Sequence, residues 1–491
     1  MAEQVEEPSM RPSDPWGGPK ILTKKRNGAY TWQVIAGSAT LGLVVATGAV
    51  LAAGPWDNGQ RKAERALAAA GDRTGGAHHG RPTPDGPRPA PSAPAVLPAL
   101  GTTTHDAPQD PAALRDTLAP LIGDPGLGDK VAASVVDTAT GEQLYGQGAT
   151  TPMTPASTIK IATATAALSV LGPDHRIATT AALSPDSRTV TLVGGGDPTL
   201  SEAALREMAA DTADAVREED EKSVRLTYDI SRYTGPVLHP ISPNENIAPV
   251  TALMVNEGRV NDTDRGPAKR TDDPAGDAAR TFAAALKKAG VKVTGAPREA
   301  RAADESRTVA THRSAPLDAL VERTLTNSDN DIAEALARQT AIAKGESASF
   351  AGARRAVTNE LKKLEIPVGG AHFADGSGLD RKDRVTPALL TALLARAADP
   401  DRPGLRPVLT GLPIAGFSGT LGGRYAPDAE GTGLIRAKTG TLFGVNSLAG
   451  TVVDRQGRLL AFAFLASGSI DAGQAEPALD ALATALAGTG G

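Results

Sequence analysis

Apolar and polar positions divide the chain into three stretches of different character. Polar residues fill positions 1–33, read as a cytoplasmic tail. From Val34 to Ala53 the sequence VIAGSATLGLVVATGAVLAA holds no charge for twenty residues. As a helix that run is about 30 Å long, the thickness of a bilayer core. Lys24, Lys25 and Arg26 precede it and acidic residues return only after Pro55, a pattern that places everything downstream outside the membrane. An uncleaved anchor is the preferred reading because the run is longer than a signal core; a leader cleaved near AVLAAG is the alternative. Residues 54–108 are rich in Pro, Gly, Ala and Arg and lack apolar periodicity, so they read as a disordered linker.

Folded character begins near residue 109. AALRDTLAPLIG at 112–123 has helical periodicity. VAASVVDTATGEQLYG at 131–146 reads as two strands about a turn at Thr138–Gly141. Pro155 opens a helix near Ser157, and Gly172-Pro173 ends it. Residues 198–310 change character again, with an acidic run REEDEK at 217–222, a Pro/Asp/Arg-rich loop near 262–276, a helix at 281–290 and a strand VKVTG at 291–295. This stretch reads as an inserted smaller domain between catalytic parts at 109–197 and 311–488. In the second part, PLDALVERTLTNSDNDIAEALARQTA predicts two helices around an S-D-N break, and RVTPALLTALLARAAD predicts another helix. Residues 433–468 predict antiparallel strands, with a hairpin turn at Asp454–Gly457, before a closing helix. The result is an α/β or α+β domain around a mainly antiparallel sheet flanked by helices.

Composition narrows the chemistry. There is no cysteine, which removes disulfides, thiolate nucleophiles and Cys-bound metals. A net charge of -5 and 3% aromatics offer no basic footprint or stacking platform for nucleic acid. None of the seven histidines forms an H-E-x-x-H pair, and DTDRGP and DDPAGD fail the calcium-loop pattern, so no metal or other cofactor is expected. Gly194-Gly195-Gly196-Asp197 lacks the Lys-Ser/Thr of a phosphate loop and reads as a turn; Asp375-Gly376-Ser377-Gly378 reads as a loop near the cleft.

Three short motifs carry reactivity. Ser157 and Lys160 form S-x-x-K at a helix start, three residues apart on one face. A desolvated lysine loses its proton and can activate the serine, and helix N-terminal N–H groups suit a developing oxyanion. Ser328-Asp329-Asn330 lies between two helical runs. Ser328 offers a proton relay, and Asn330 an amide that orients Lys160 or a substrate carbonyl; a simple helix cap is the plain alternative. Lys438-Thr439-Gly440 ends a strand. Lys438 and Thr439 make a seat for a carboxylate, and Gly440 permits close approach of an extended peptide pairing with the strand.

S-x-x-K, S-D-N and K-T-G in this order are the set used by penicillin-binding proteins and serine β-lactamases. Residues 109–488 resemble the class C low-molecular-mass penicillin-binding proteins, the D-alanyl-D-alanine carboxypeptidase/endopeptidases of peptidase family S13. The resemblance extends to LVGGGDPTL at 192–200, DGSGLDRKDRVTP at 375–387, AGFSGTLGGR at 415–424 and RAKTGTLFGVNSLAG at 436–450. It implies a serine β-lactamase/penicillin-binding-protein transpeptidase-like fold. It also implies that Ser157 attacks the penultimate D-Ala carbonyl with Lys160 as general base. Ser328, Asn330 and Lys438 would move protons and position the leaving D-Ala. Lys438, Thr439, Gly440 and Thr441 would bind substrate, and the backbone N–H groups of Ser157 and Thr441 would form the oxyanion hole. The implied partners are peptidoglycan stem peptides ending in D-Ala-D-Ala, β-lactam inhibitors, and the membrane through the N-terminal segment, with cross-link cleavage as a second activity. The interval from Ser157 to Ser328, 171 residues, exceeds that of small β-lactamases and falls short of the longest family members. The alternatives are a β-lactamase or D-amino esterase on the same scaffold, and a non-catalytic wall-binding protein.

Overall fold

The strand LLAFAFLAS shows how the core is organised. It forms the central strand of a five-stranded antiparallel sheet and is buried along nearly its whole length. Alternate residues of a strand face opposite sides. Ala461, Ala463 and Leu465 pack into one hydrophobic cluster, and Leu460, Phe462 and Phe464 into another. A strand covered on both faces needs no polar alternation, which is why it reads as a continuous apolar run.

The structure is a computed structural model that describes residues 111–489 apart from Pro243 and Ile470. The expected tail (1–33), membrane segment (34–53) and linker (54–108) lie outside the described residues. No helix among the described residues is long and apolar enough to cross a membrane.

The first sheet is built from β1 (Lys130–Asp137), β2 (Gln143–Gln147), β9 (Ile435–Leu442), β10 (Val445–Val453) and β11 (Leu459–Ser467), in the order β2-β1-β11-β10-β9. One face carries α1 (Pro111–Ile122) and the C-terminal α9 (Ala472–Ala487). The other face carries α2 (Lys160–Leu171), α5 (Leu317–Thr326), α6 (Asn330–Ala343), α7 (Phe350–Lys363) and α8 (Pro387–Ala398). Residues 160–168 of α2 are all buried, so this helix is enclosed on every side and has no solvent face to give it an amphipathic signature.

The second sheet has the order β6-β5-β4-β3-β8, with β7 also on β5. Its members are β3 (Ala178–Leu183), β4 (Thr189–Val193), β5 (Ser223–Asp229), β6 (Lys292–Val293), β7 (Arg298–Glu299) and β8 (Arg307–Arg313). Helices α3 (Glu202–Glu218) and α4 (Pro274–Lys288) supply the rest of its core, around Phe282, Leu205 and Val224. The inserted part was expected to span 198–310. In the structure, strands from 178–193 also belong to this sheet, and β8 extends it to Arg313. The physical reason is the antiparallel pairing of β3 with β8, which joins Ala178 to Arg313. A pairing over such a sequence distance leaves no local mark.

The turn Gly194–Asp197 follows β4 and locks this part to α6. The Gln339 side chain donates to the Gly195 carbonyl at 2.8 Å. A Cβ at Gly195 would stand 1.9 Å from the Ala178 carbonyl oxygen, so the close approach requires glycine.

Candidate active site

Pro155 leads into a 3-10 turn at Ala156–Ile159, which runs on into α2 at Lys160. Ser157 therefore sits in a tighter turn than the helix expected there. Ala156 has φ of 48°, a left-handed conformation that costs a non-glycine residue about 1–3 kcal/mol. Backbone strain of that kind is held by its surroundings, here by the Gly378 backbone: a Cβ on Gly378 would lie 2.1 Å from the Ala156 carbonyl oxygen.

Lys160 is fully buried and makes three contacts through Nζ. It lies 2.9 Å from Ser157 Oγ, 2.7 Å from Asn330 Oδ1 and 2.5 Å from the Ser377 carbonyl oxygen. Asn330 donates its Nδ2 to the Asn246 carbonyl at 2.9 Å, which fixes Oδ1 toward the lysine. The two carbonyl oxygens can only accept. A neutral amine has two N–H donors and one lone pair. In the neutral amine, Asn330 and Ser377 hold both donors and leave the lone pair for the Ser157 hydroxyl, whereas the ammonium donates to all three. Burial pulls the Lys160 pKa down to about 8, against the opposing pull of the Asp375, Asp329 and Glu334 carboxylates.

Asp329 is the helix cap of α6, accepting from Ile332 N–H at 3.0 Å. That leaves the residues on either side free for other work: Ser328, in a left-handed turn with φ of 59°, lines the cleft, and Asn330 reaches Lys160. The capping and functional readings of S-D-N are thus compatible.

β9 is the edge strand of the first sheet. The near half of its outer edge is covered, with Ala415 N–H on the Ile435 carbonyl and Ala437 N–H on the Pro413 carbonyl, each at 3.0 Å. Backbone direction alternates along a strand, so Thr439 and Thr441 are the next residues to turn their N–H and C=O groups outward. Gly440 backs onto the nucleophile turn. A Cβ there would lie 2.3 Å from Ser447 Oγ, 2.6 Å from the Pro155 carbonyl oxygen and 3.0 Å from Ser157 N. Lys438 is fully buried beneath, its ammonium donating to the Thr439 carbonyl at 2.7 Å. Burial, then the nearby Lys160 and Arg424, hold its pKa well below the ordinary lysine value.

Ser157, Ser328, Asn330, Thr439 and Thr441 line one cleft of about 330 Å³. Ser157, Lys160 and Asn330 are joined by direct hydrogen bonds, whereas Lys438 and Gly440 support the cleft from behind. The motifs did not reveal Thr420, whose hydroxyl accepts from Thr439 Oγ1 at 2.9 Å, or Arg424, which also lines the cleft and is held by Asp480 at 2.7 Å. Nor did they reveal Ser377, which acts through its carbonyl and so carries no side-chain signal. The only trace of it was the D-G-S-G loop itself. Among the described residues, two buried acidic clusters have metal-ligand residue types: His239 with Glu334 and Asp375, and Glu257 with Asp329 and Asp331. In the first, His239 Nε2 hydrogen-bonds Asp375 at 2.8 Å; in the second, Arg259, Arg323 and Arg270 pair with the carboxylates.

An antiparallel sheet, a tight turn bearing Ser157 that runs into a buried helix at Lys160, and a K-T-G edge strand around one cleft define the penicillin-binding-protein and β-lactamase class of folds. The fold is similar to the crystal structure of penicillin-binding protein 4 from Haemophilus influenzae, with a TM-score of 0.63 at 22% identity, covering 75% of this chain and 98% of that one. The profile of the D-Ala-D-Ala carboxypeptidase 3 (S13) family matches residues 114–269 and 263–488, and the chain belongs to this family. Carboxypeptidase Rv3627c of Mycobacterium tuberculosis is 38% identical over 420 residues, 82% of this chain and 88% of that protein. Carboxypeptidase DacB of Mycolicibacterium smegmatis is 38% identical over 429 residues, 83% of this chain and 90% of that protein.

Proposed function

We propose that the protein is a serine-type D-Ala-D-Ala carboxypeptidase acting on peptidoglycan stem peptides and inhibited by penicillins. The observation that carries this reading is the 2.9 Å contact between Lys160 Nζ and Ser157 Oγ, inside a cleft bordered by the other two motifs.

The stem peptide lies extended along the outer edge of β9, paired with Thr439 and Thr441. Its terminal carboxylate rests against Thr439, in the positive field of Arg424, with Lys438 buried beneath. The neutral Lys160 amine takes the Ser157 proton as Oγ attacks the carbonyl of the penultimate D-Ala. The Ser157 and Thr441 N–H groups stabilise the oxyanion, a contribution typically of 10²–10³ in rate. The proton then passes through Ser328 to the leaving nitrogen, the C–N bond breaks and D-Ala departs. Water hydrolyses the Ser157 ester, with Lys160 again as the base. A β-lactam enters the same path, but its leaving nitrogen stays tethered, so the ester persists. Cleavage of cross-links requires only that the departing amine belong to a neighbouring stem.

The N-terminal segment at 34–53 holds the enzyme at the outer face of the membrane, with residues 54–108 as spacer. The two parts around the inserted segment act as one catalytic domain.

Labelled penicillin and a stem pentapeptide test the reading together. The wild-type protein should form a covalent adduct and release D-Ala, and Ser157→Ala should do neither. Absence of both from the wild type would exclude the enzyme reading, and rapid penicillin turnover would favour a β-lactamase.

A further inference from the structure

His239 lies on the segment between β5 and α4, in the inserted part of the chain, yet its ring is buried in the catalytic part. Nδ1 accepts from the Ile241 N–H at 3.3 Å, so the ring proton sits on Nε2 and is donated to Asp375 Oδ2 at 2.8 Å. Phe350 packs edge-on, with centroids 5.4 Å apart at 83°. Glu334 lies 3.9 Å from Nε2.

Asp375 is a knot for the loop that follows it. Its Oδ1 accepts from Gly378 N–H at 2.6 Å and Ser377 N–H at 3.1 Å. Its Oδ2 accepts from Asp380 N–H at 2.7 Å and Ser377 Oγ at 3.2 Å. Glu334 adds a second tie, accepting from the N–H groups of Gly376 at 2.9 Å and Ser377 at 3.0 Å. The loop held this way presents the Ser377 carbonyl to Lys160 Nζ at 2.5 Å and the Gly378 backbone to the strained Ala156. Burial opposes charge on Asp375, yet the hydrogen bonds it receives from His239, from Asp383 and from the loop amides hold its pKa down to about 2. Asp375 therefore stays a full acceptor for every one of these donors.

We propose that His239 is a positioning residue for Lys160: it fixes Asp375, Asp375 fixes the 376–378 loop, and the Ser377 carbonyl then holds one N–H of the amine so that its lone pair points at Ser157. The proposal rests on the reading of Ser157 and Lys160 as the acylating pair. It gives the inserted segment a part in catalysis through a residue that does not itself line the cleft. It also states which step fails without His239. Loosening the loop leaves the β9 edge and the Thr439 hydroxyl in place, so binding persists while the amine loses its aim.

The test uses the full chain carrying His239→Leu, His239→Gln or His239→Asn, with melting temperatures recorded alongside. Gln places an amide N–H2 near the position of Nε2 and keeps the donor to Asp375, Asn is too short to do so, and Leu has no donor. The expected result for His239→Leu is a ten- to hundredfold loss of kcat and of penicillin acylation, with KM within twofold. His239→Gln should recover to within about threefold of wild type, and His239→Asn should not. If the Leu protein does not fold, the contrast between Gln and Asn decides. Equal activity of these two, or wild-type kcat in the Leu protein, overturns the proposal, as does a rise in KM that accounts for the whole loss. Normal wild-type acylation with an indifferent His239 removes this proposal alone. A wild-type protein that forms no Ser157 adduct removes the acylation reading and this proposal with it.

Discussion

The two sheets are comparable in size and differ in what they are asked to hold. The five-stranded sheet is entirely antiparallel, is covered on both faces and leaves part of one edge uncovered beside a buried helix that begins with a lysine and is entered through a left-handed turn at Ala156. The second sheet mixes parallel and antiparallel pairs and closes its own core with α3 and α4. It sends only loop residues toward the cleft, among them Asn246, Arg259 and Arg270. One sheet spends stability on a reactive site, and the other is an ordinary scaffold that reaches the site through loops. Changes at the site of the first should therefore lower activity without lowering stability, and changes in the core of the second should lower stability without lowering activity.

The largest effect should come from Lys160→Met. Loss of a positioned general base costs about 10²–10⁴ in rate, up to about 5.5 kcal/mol of barrier, and should appear in penicillin acylation rather than in the melting temperature. Phe282→Ala should do the converse. Phe282 is fully buried in the core of the second sheet, and its truncation should cost about 3–5 kcal/mol in urea unfolding while acylation per folded molecule is unchanged. If acylation falls in proportion, the two parts are less independent than their cores indicate. Gly440→Ala should combine a modest folding cost of about 1–3 kcal/mol with loss of the adduct, because the new methyl meets Ser447 Oγ and the Pro155 carbonyl.

The pH response is smaller and has a definite sign. Lys160 must be neutral to act as base, and burial lowers its pKa to about 8. Acylation should therefore rise with pH, about tenfold between pH 7 and pH 9, with a midpoint near the lowered pKa. A flat profile would mean that another group takes the Ser157 proton. Smallest of all is Arg307→Ala. Its pair with Glu219, at 2.9 Å between half-exposed side chains on the second sheet's surface, should be worth less than about 1 kcal/mol, with activity untouched.

The catalytic motifs were legible because their chemistry is tied to short spacings and side-chain identity. Ser157 and Lys160 need only one helical turn, and K-T-G needs only one strand, although it was expected at the strand's end and lies in the middle of β9, which runs on to Leu442. The strands at 435–467 were legible for a similar reason, since a D-R-Q-G turn followed by an unbroken apolar run has few other readings. The start of the second sheet was not. β3 and β4 look like any short strands, and only pairing with β8, more than a hundred residues later, assigns them. His239 and Ser377 were hidden in different ways. A lone histidine in a loop has no pattern, and a backbone carbonyl is present at every position.

The partly covered edge of β9 has a consequence for how the protein behaves in a crowd. A long bare edge strand invites pairing with other chains. Here the loop at 413–415 closes the first half of that edge, and the remaining stretch runs only from Thr439, itself buried, to the exposed Thr441, about 7 Å of strand. A gap that short gives another sheet too little length to grip, while a tripeptide end needs no more. On the proposed binding mode the aperture would act as a gauge, admitting the loose end of a chain and refusing a strand.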